Sequence, residues 1–169
     1  MNILVAISDE YFAQAILCFM KSRQWGHKDT VRLVHVLEPS DQLPVRRLQL
    51  SPLDDYCREQ FKLVEDAAFE VKKCWPSLTI QKSIIPGKAD EMIMRTAEEW
   101  PADLIIMGSH GREGLERLLL GSVSLAVTAG STCSIVIVKP LQARCLDLSL
   151  CDEEDMPQQV CSINFSAAK

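Results

Sequence analysis

The chain has 169 residues, of which 47% are hydrophobic, and its formal net charge is −5 at pH 7. This length and apolar content predict one globular domain with its own core. The negative charge argues against a nucleic-acid surface that works by neutralising phosphates. No apolar run approaches the roughly 18 residues of a membrane-spanning helix, and the start does not resemble a signal peptide, so we expect a cytoplasmic protein that does not enter a membrane.

Cysteine and histidine positions argue against a metal centre. The seven cysteines form neither a CxxC pair nor the spacing of a zinc site, and reduced thiols are expected in the cytoplasm. His27 and His110 fall in predicted loops without neighbouring ligands, and His35 falls inside a predicted strand, where a structural role is the ordinary one. The sequence therefore predicts no metal ligands and no catalytic residues.

Apolar runs and helical periodicities alternate along the chain. Continuous apolar runs predict buried strands at 3–7, 104–107 and 135–138, and residues 31–37 are predicted to form the second strand. A partly alternating stretch at 78–85 predicts a strand near a sheet edge. Apolar residues at helical spacing predict helices at about 11–23, 54–75 and 89–100, and after Ser122. Five strands alternating with four helices predict an α/β fold, with an open parallel sheet and helices on both faces.

The second predicted helix has a single apolar seam on the residues Cys57, Phe61, Val64, Ala68, Val71 and Trp75. Before this helix, three prolines in residues 38–53 exclude a continuous helix and predict an irregular excursion over the ligand end of the sheet, a candidate lid. After Pro140 no periodicity continues. Residues 141–169 are therefore predicted to be an acidic tail, either disordered or contributing a short strand.

A series of glycines follows the fourth strand. Two residues separate Gly108 from Gly111, and nine more precede Gly121 and Ser122. Glycine lets a backbone turn tightly and approach a ligand, and Ser122 is predicted to be the N-cap of a helix whose free amides face this loop. Phosphate binding and a plain strand-to-helix turn are both compatible with the pattern, which matches neither Walker A nor the compact dinucleotide fingerprint.

A resemblance to a known family begins in the same stretch. The segment MGSHGREGLERLLLGSVSLAV, followed by CSIVIVKP, resembles the ATP-binding signature of the universal stress protein family, Gly-x2-Gly-x9-Gly-Ser. The upstream segment IIPGKADEMIMRTAEEWPADLIIMGS and the start, NILVAIS with VRLVHVLEP, are also similar to that family. The resemblance covers residues 1–140 and implies one Rossmann-like domain with strand order 3-2-1-4-5.

The resemblance implies that ATP, or ADP or AMP, binds in the crevice between strands one and four. Ten residues are implied to bind it: Ser8, Asp9, Val36, Met107, Gly108, Gly111, Arg112, Gly121, Ser122 and Val123. The glycines and Ser122 would hold the phosphates, with Arg112 as a charge partner, and the main chain near Val36 would meet the adenine edge. Because the loop offers no carboxylate pair, an accompanying Mg²⁺ would be held mainly by phosphate oxygens and water.

The chain departs from the family pattern directly after the first strand. The family has an aspartate there that contacts the nucleoside, whereas this chain has Ser8, with Asp9 one position later. Three interpretations remain open. Asp9 substitutes through a small shift of the loop, Ser8 makes a weaker hydrogen bond, or both residues merely cap the first helix.

Strand five is implied to be a sheet edge that pairs with its copy in a second subunit. Its apolar residues Ile135, Val136, Ile137 and Val138 would otherwise leave an exposed edge, so we expect a homodimer. The leading hypothesis is a stress-response or signalling module in which ATP shifts this dimer or the binding of an unidentified protein partner. The alternatives are a dimeric scaffold independent of nucleotide and a slow ATPase, whose candidate residues Glu113, His110 and Arg112 form no recognisable catalytic pattern.

Overall fold

The computed structural model describes residues 1–38, 55–109 and 120–139. Strands and helices alternate along these ranges, as the sequence predicts. Their bounds are β1 Asn2–Ala6, α1 Glu10–Lys21, β2 Thr30–Leu37, α2 Asp55–Cys74, β3 Thr79–Pro86, α3 Ala89–Glu99, β4 Leu104–Gly108, α4 Ser122–Gly130 and β5 Ser134–Val138. The candidate lid beyond Glu38, the side chain of Cys57 and the predicted tail 141–169 lie outside the described residues.

The five strands form one parallel sheet in the order β3-β2-β1-β4-β5, which confirms the predicted fold and strand order. The central strand is β1, where Leu4 pairs with Arg32 of β2 on one side and with Ile105 of β4 on the other. Strand β1 is buried from Ile3 to Ala6, whereas no described residue of the edge strand β3 is fully buried. This difference explains why β1 has a continuous apolar run and β3 alternates.

The core consists of two apolar clusters, one on each face of the sheet. Ile3 and Val5 of β1 pack in the cluster that contains α1 and α2, and Leu4 lies in the cluster that contains α3 and α4. Successive strand side chains point to opposite faces, so a strand covered on both sides must be apolar at every position. In the part of the chain that the structure describes, no helix is long and apolar enough to cross a membrane.

Helix α2 turns a slightly different face to the core from the predicted seam. Val64 and Val71 are buried as predicted, but Phe61 is 52% exposed. The buried face includes Gln60 and Ala67 instead, so it is rotated about the helix axis and leaves Phe61 at its margin. The prediction that Phe61 belongs to the core is therefore wrong.

Candidate functional site

A cleft of about 620 Å³ opens at the carboxyl ends of the central strands. From β1 the chain crosses through α1 to β2, and from β4 it crosses in the other direction through α4 to β5. Such a reversal of direction between neighbouring strands leaves a crevice where open α/β sheets bind their ligands. The volume is in the range of small-molecule and cofactor sites.

Eight of the ten predicted site residues line this cleft. They are Ser8, Asp9, Val36, Met107, Gly108, Gly121, Ser122 and Val123. The other two, Gly111 and Arg112, lie outside the described residues, as do the ATPase candidates His110 and Glu113. The structure therefore brings together residues from the ends of β1, β2 and β4 and from the start of α4.

Asp9 is the N-cap of α1. It is 7% exposed, its Oδ1 accepts a hydrogen bond from the Phe12 amide at 3.0 Å, and its Oδ2 accepts one from the Ser8 hydroxyl at 3.0 Å. Asp9 therefore caps α1, whereas the described bond of the Ser8 side chain goes to Asp9 and not to an amide of the helix. Both residues also line the cleft, so contact with a ligand stays a prediction.

Gly108 ends β4 under the ring of Phe12. A Cβ atom at this position would lie 2.7 Å from Cγ of Phe12 and 2.9 Å from its Cε1. Real Cβ contacts essentially never come so close, so the packing of α1 on β4 itself requires glycine here. The sequence alone left two explanations for this glycine open, a tight strand-to-helix turn and the close approach of a ligand.

The start of α4 differs by one residue from the prediction. Gly121, in an extended conformation, occupies the N-cap position, and Ser122 is the first helical residue and makes no side-chain cap. The residue that ties this turn together is Ser124, whose hydroxyl oxygen lies 3.0 Å from both the Ser109 and the Gly121 carbonyl oxygens, so that its single hydrogen is shared between the two acceptors. Because a buried hydroxyl needs a partner, Ser124 at 2% exposure fixes the start of α4 against the end of β4.

Three helices begin at the cleft, and they differ in charge. Helix α1 begins at the Asp9 cap, and α3 begins where Oε1 of Glu38 accepts a hydrogen bond from the Ala89 amide at 2.9 Å. Both helices also have acidic residues in their first turn. Helix α4 has neither an acidic residue in its first turn nor a side-chain cap among the described residues. Of these three helices, α4 therefore presents the least compensated positive dipole end to the cleft.

Four polar residues that the sequence did not single out as site residues also line the cleft, namely His35, Glu38, Gln60 and Ser124. Glu38 follows β2 directly, a position at the ligand edge that the sequence could have indicated. Gln60 interrupts the apolar face of α2, one turn before Val64. No sequence signal separates Ser124 from other helical serines.

His35 has a structural contact, as expected for a buried strand histidine. Its Nδ1 lies 2.8 Å from the Ile7 carbonyl oxygen. A carbonyl only accepts hydrogen bonds, so Nδ1 carries the hydrogen and the ring joins the ends of β1 and β2. No group of three or more histidine, cysteine or acidic residues that could hold a metal ion occurs within 1–38, 55–109 and 120–139.

The fold and the cleft define a doubly wound α/β domain with an open cleft at its switch point. The sequence model of the universal stress protein family matches residues 1–139. The chain therefore belongs to the universal stress protein family, as the glycine series and the first strand indicated.

Individual members of the family show the same relationship. Universal stress protein A homolog 2 of Coxiella burnetii is 39% identical over 80 residues, which are 46% of this chain and 54% of that protein. Universal stress protein MJ0577 of Methanocaldococcus jannaschii is 38% identical over 78 residues, which are 46% of this chain and 43% of that protein. The chain thus spans about half the length of these curated relatives in the matches.

Solved structures share the fold over a longer stretch. The structure of MJ0577 superposes with a TM-score of 0.71 at 26% identity and covers 83% of this chain and 96% of its own. The universal stress protein from Archaeoglobus fulgidus in complex with dAMP superposes with a TM-score of 0.58 at 18% identity, covering 82% and 98%. The second likeness concerns the fold alone.

Proposed function

We propose that the cleft binds an adenine nucleotide, with ATP as the main ligand and ADP or AMP as alternatives, and that the bound nucleotide regulates a stress-response or signalling activity. The observation that carries this proposal is the start of α4. It is the helix start at the cleft that lacks a carboxylate among the described residues, and a free helix N-terminus attracts phosphate. Family membership and the dAMP complex of the Archaeoglobus protein, which shares the fold, support the choice of an adenine nucleotide.

In this proposal the phosphates lie at the β4 end of the cleft. The amides of Ser122 and Val123 and the Ser122 hydroxyl receive them, assisted by Gly111 and by the charge of Arg112. The amide of Gly121 donates to the Ser109 carbonyl at 2.7 Å, so Gly121 contributes by letting the phosphates approach closely. No lysine or arginine occurs among the described lining residues, so the backbone amides and Arg112 supply the positive potential. Mg²⁺, which accompanies ATP, is held by phosphate oxygens and water.

The nucleoside lies toward β2. The main chain at Val36 meets the adenine edge, Asp9 or Ser8 approaches the ribose, and Met107 contacts the nucleotide from β4. Both Asp9 oxygens keep lone pairs after the hydrogen bonds from Phe12 and Ser8. An additional hydrogen bond from a ribose hydroxyl is therefore compatible with the cap.

The nucleotide acts on an assembly of subunits or on a protein partner. Strand β5 is the edge of the sheet, and Ile135, Val136 and Ile137 are half-buried there within a single chain. Leu125 of the neighbouring α4 is 57% exposed. Pairing of two β5 edges would cover this apolar surface, and we include this homodimer, in the cytoplasm, in the proposal.

The test is to purify the full chain without added nucleotide, denature it, and identify any released nucleotide by mass spectrometry. The stripped protein is then titrated with ATP and Mg²⁺ by calorimetry. Gly121→Val places a branched side chain at the phosphate end and should abolish binding, whereas Gly26→Val in an exposed turn should not.

Each outcome separates the hypotheses. Stoichiometric binding that Gly121→Val removes supports the nucleotide site. Absence of binding at millimolar ATP would reject it and leave the nucleotide-independent scaffold. Steady phosphate release that Glu113→Gln or His110→Ala abolishes would instead establish the slow ATPase.

A further inference from the structure

Gln60 is a buried polar residue in an otherwise apolar face. The core-facing positions of α2 recur at helical spacing, and Gln60 occupies the first described one, followed by Val64, Ala67 and Val71. It is 5% exposed, and its amide has no hydrogen-bond partner among the residues that the structure describes. The amide atoms are not among the fully enclosed polar atoms that lack a partner. The amide of Gln60 therefore remains accessible from the cleft that this residue lines, and a ligand there can pair with it.

The side chain of Gln60 lines the cleft. Helix α2 packs on β2 and β3, whereas the free start of α4 lies by β4. Because neighbouring strands are about 4.8 Å apart, β2 and β4 are separated by about 10 Å, with β1 between them. Gln60 therefore lies at the end of the cleft opposite to the phosphate end.

The chemistry of the amide narrows the choice of ligand group. A glutamine side chain offers a donor and an acceptor side by side. Phosphate has only acceptors and would leave the Oε1 atom of Gln60 facing anionic oxygens. The edge of adenine, by contrast, presents its 6-amino donor beside a ring-nitrogen acceptor, and glutamine pairs with it through two hydrogen bonds.

We propose that Gln60 is a specificity-determining residue that hydrogen-bonds the edge of the nucleobase in the cleft. This inference rests on the proposed function, since it assigns one residue to one part of the nucleotide. It explains why a polar side chain is kept in the buried face of α2. In the bound state the amide exchanges the solvent of the open cleft for hydrogen bonds to the nucleobase.

The experiment compares wild-type protein with Gln60→Met, an apolar side chain of similar shape, by calorimetric titration with ATP and with purine riboside triphosphate, which lacks the 6-amino group. We expect Gln60→Met to weaken ATP binding about tenfold, or about 1.4 kcal/mol. The preference of the wild type for ATP over the analogue should shrink by a similar factor. Gln14→Met, the same change on α1 away from the cleft lining, should alter neither value.

Thermal unfolding of the free proteins gives a second readout. Since Gln60→Met removes an amide that makes no described hydrogen bond within the protein, the free variant should melt at the same temperature as the wild type or a few degrees higher. A purely structural role for Gln60 predicts a lower melting temperature. Circular dichroism of the free variant verifies that it is folded.

Three results would overturn the inference. Gln60→Met could bind ATP as tightly as the wild type, or its affinity could fall by the same factor for ATP and for purine riboside triphosphate. The third result is that the substitution shrinks the preference for ATP over 2′-deoxyATP, which lacks the 2′-hydroxyl. That result would place Gln60 at the ribose. In all three cases wild-type binding of ATP leaves the proposed function intact. If the wild type binds no nucleotide, both proposals fail together.

Discussion

Gly108 at the end of β4 lies directly against the ring of Phe12. The ring, in the first turn of α1, occupies the space that a side chain at position 108 would need. This contact connects the end of β1 with the end of β4, because Asp9, which follows β1, caps α1 through the amide of Phe12. A residue of the glycine series thus has a structural reason that precedes any ligand.

We expect Gly108→Ala to lower the free energy of unfolding by about 1 to 3 kcal/mol, the usual cost of overpacking a close contact. Adding Phe12→Leu should recover part of the loss, because the smaller side chain makes room for the new methyl group. Urea unfolding of the single and double variants measures both effects. Additive losses in the double variant would contradict the steric explanation.

Gly87 should respond differently, because its backbone and not only its neighbour requires glycine. Its φ is +145°, and a Cβ atom would lie 2.7 Å from Cγ of Met92. We expect Gly87→Ala to lower the melting temperature, and Met92→Ala in the same chain not to restore it, since the strain of positive φ remains. Full recovery in the double variant would show that the Met92 contact alone matters.

Ser124 offers a prediction on the architecture of the site. Ser124→Ala removes the hydroxyl hydrogen that the Ser109 and Gly121 carbonyls share, although both carbonyls keep a backbone hydrogen bond, from the amides of Gly121 and Leu125 respectively. The expected cost is about 1 to 2 kcal/mol of stability, together with weaker nucleotide binding because the amides of α4 lose their position. Chemical unfolding and calorimetry measure the two losses, and Ser77→Ala, the same change in the exposed turn before β3, serves as the control. Unchanged affinity would contradict the positioning role.

The pair of Lys88 and Asp90 gives a prediction on pH. A hydrogen bond from Lys88, Nζ to Oδ2 at 3.0 Å, is the largest cause that holds the pKa of Asp90 below its ordinary value of 3.8, and the same bond raises the pKa of Lys88 above 10.5. The lowered carboxyl pKa contributes stability that is present above pH 3.8 and lost as the pH falls through the folded-state pKa. The raised amine pKa contributes stability that is present below pH 10.5 and lost as the pH rises through its folded-state value.

The measurement is the melting temperature of wild-type protein and Asp90→Asn as a function of pH. The wild type should melt higher at neutral pH, and the difference should disappear in acid as Asp90 becomes protonated. Glu98→Gln removes the same charge from an exposed position of α3 and should show no comparable acid dependence. A difference that persists undiminished in acid would mean that the pair does not act through this titration.

The fold was predictable because its signals are local and repeated. The continuous apolar run of β1 and the alternation of β3 reflect burial on two faces and exposure at an edge, and these determine the sheet order together with the family resemblance. Ser8 and Asp9 were predictable as site residues because they follow β1 at the carboxyl edge of the sheet, where such folds bind ligands. Most of the cleft lining follows from topology.

What the sequence did not reveal depends on details of packing. The small rotation that buries Gln60 and exposes Phe61 is set by how α2 rests on β2 and β3, which helical periodicity alone does not specify. The reason for Gly108 is a side chain almost a hundred residues away in the chain. The exact start of α4 depends on Gly121 adopting the cap conformation that Ser122 also favours.

The pairing of β1 with β4 has a consequence for the folding of the site. Leu4 and Ile105 are neighbours in the sheet although about a hundred residues separate them in the chain, and contacts of such long range form late and slowly. On a ribosome, the N-terminal strand must wait for β4 before either wall of the cleft is complete. A ligand that contacts both walls binds only the completely folded domain. Its binding free energy therefore stabilises the whole domain against unfolding and not one element alone.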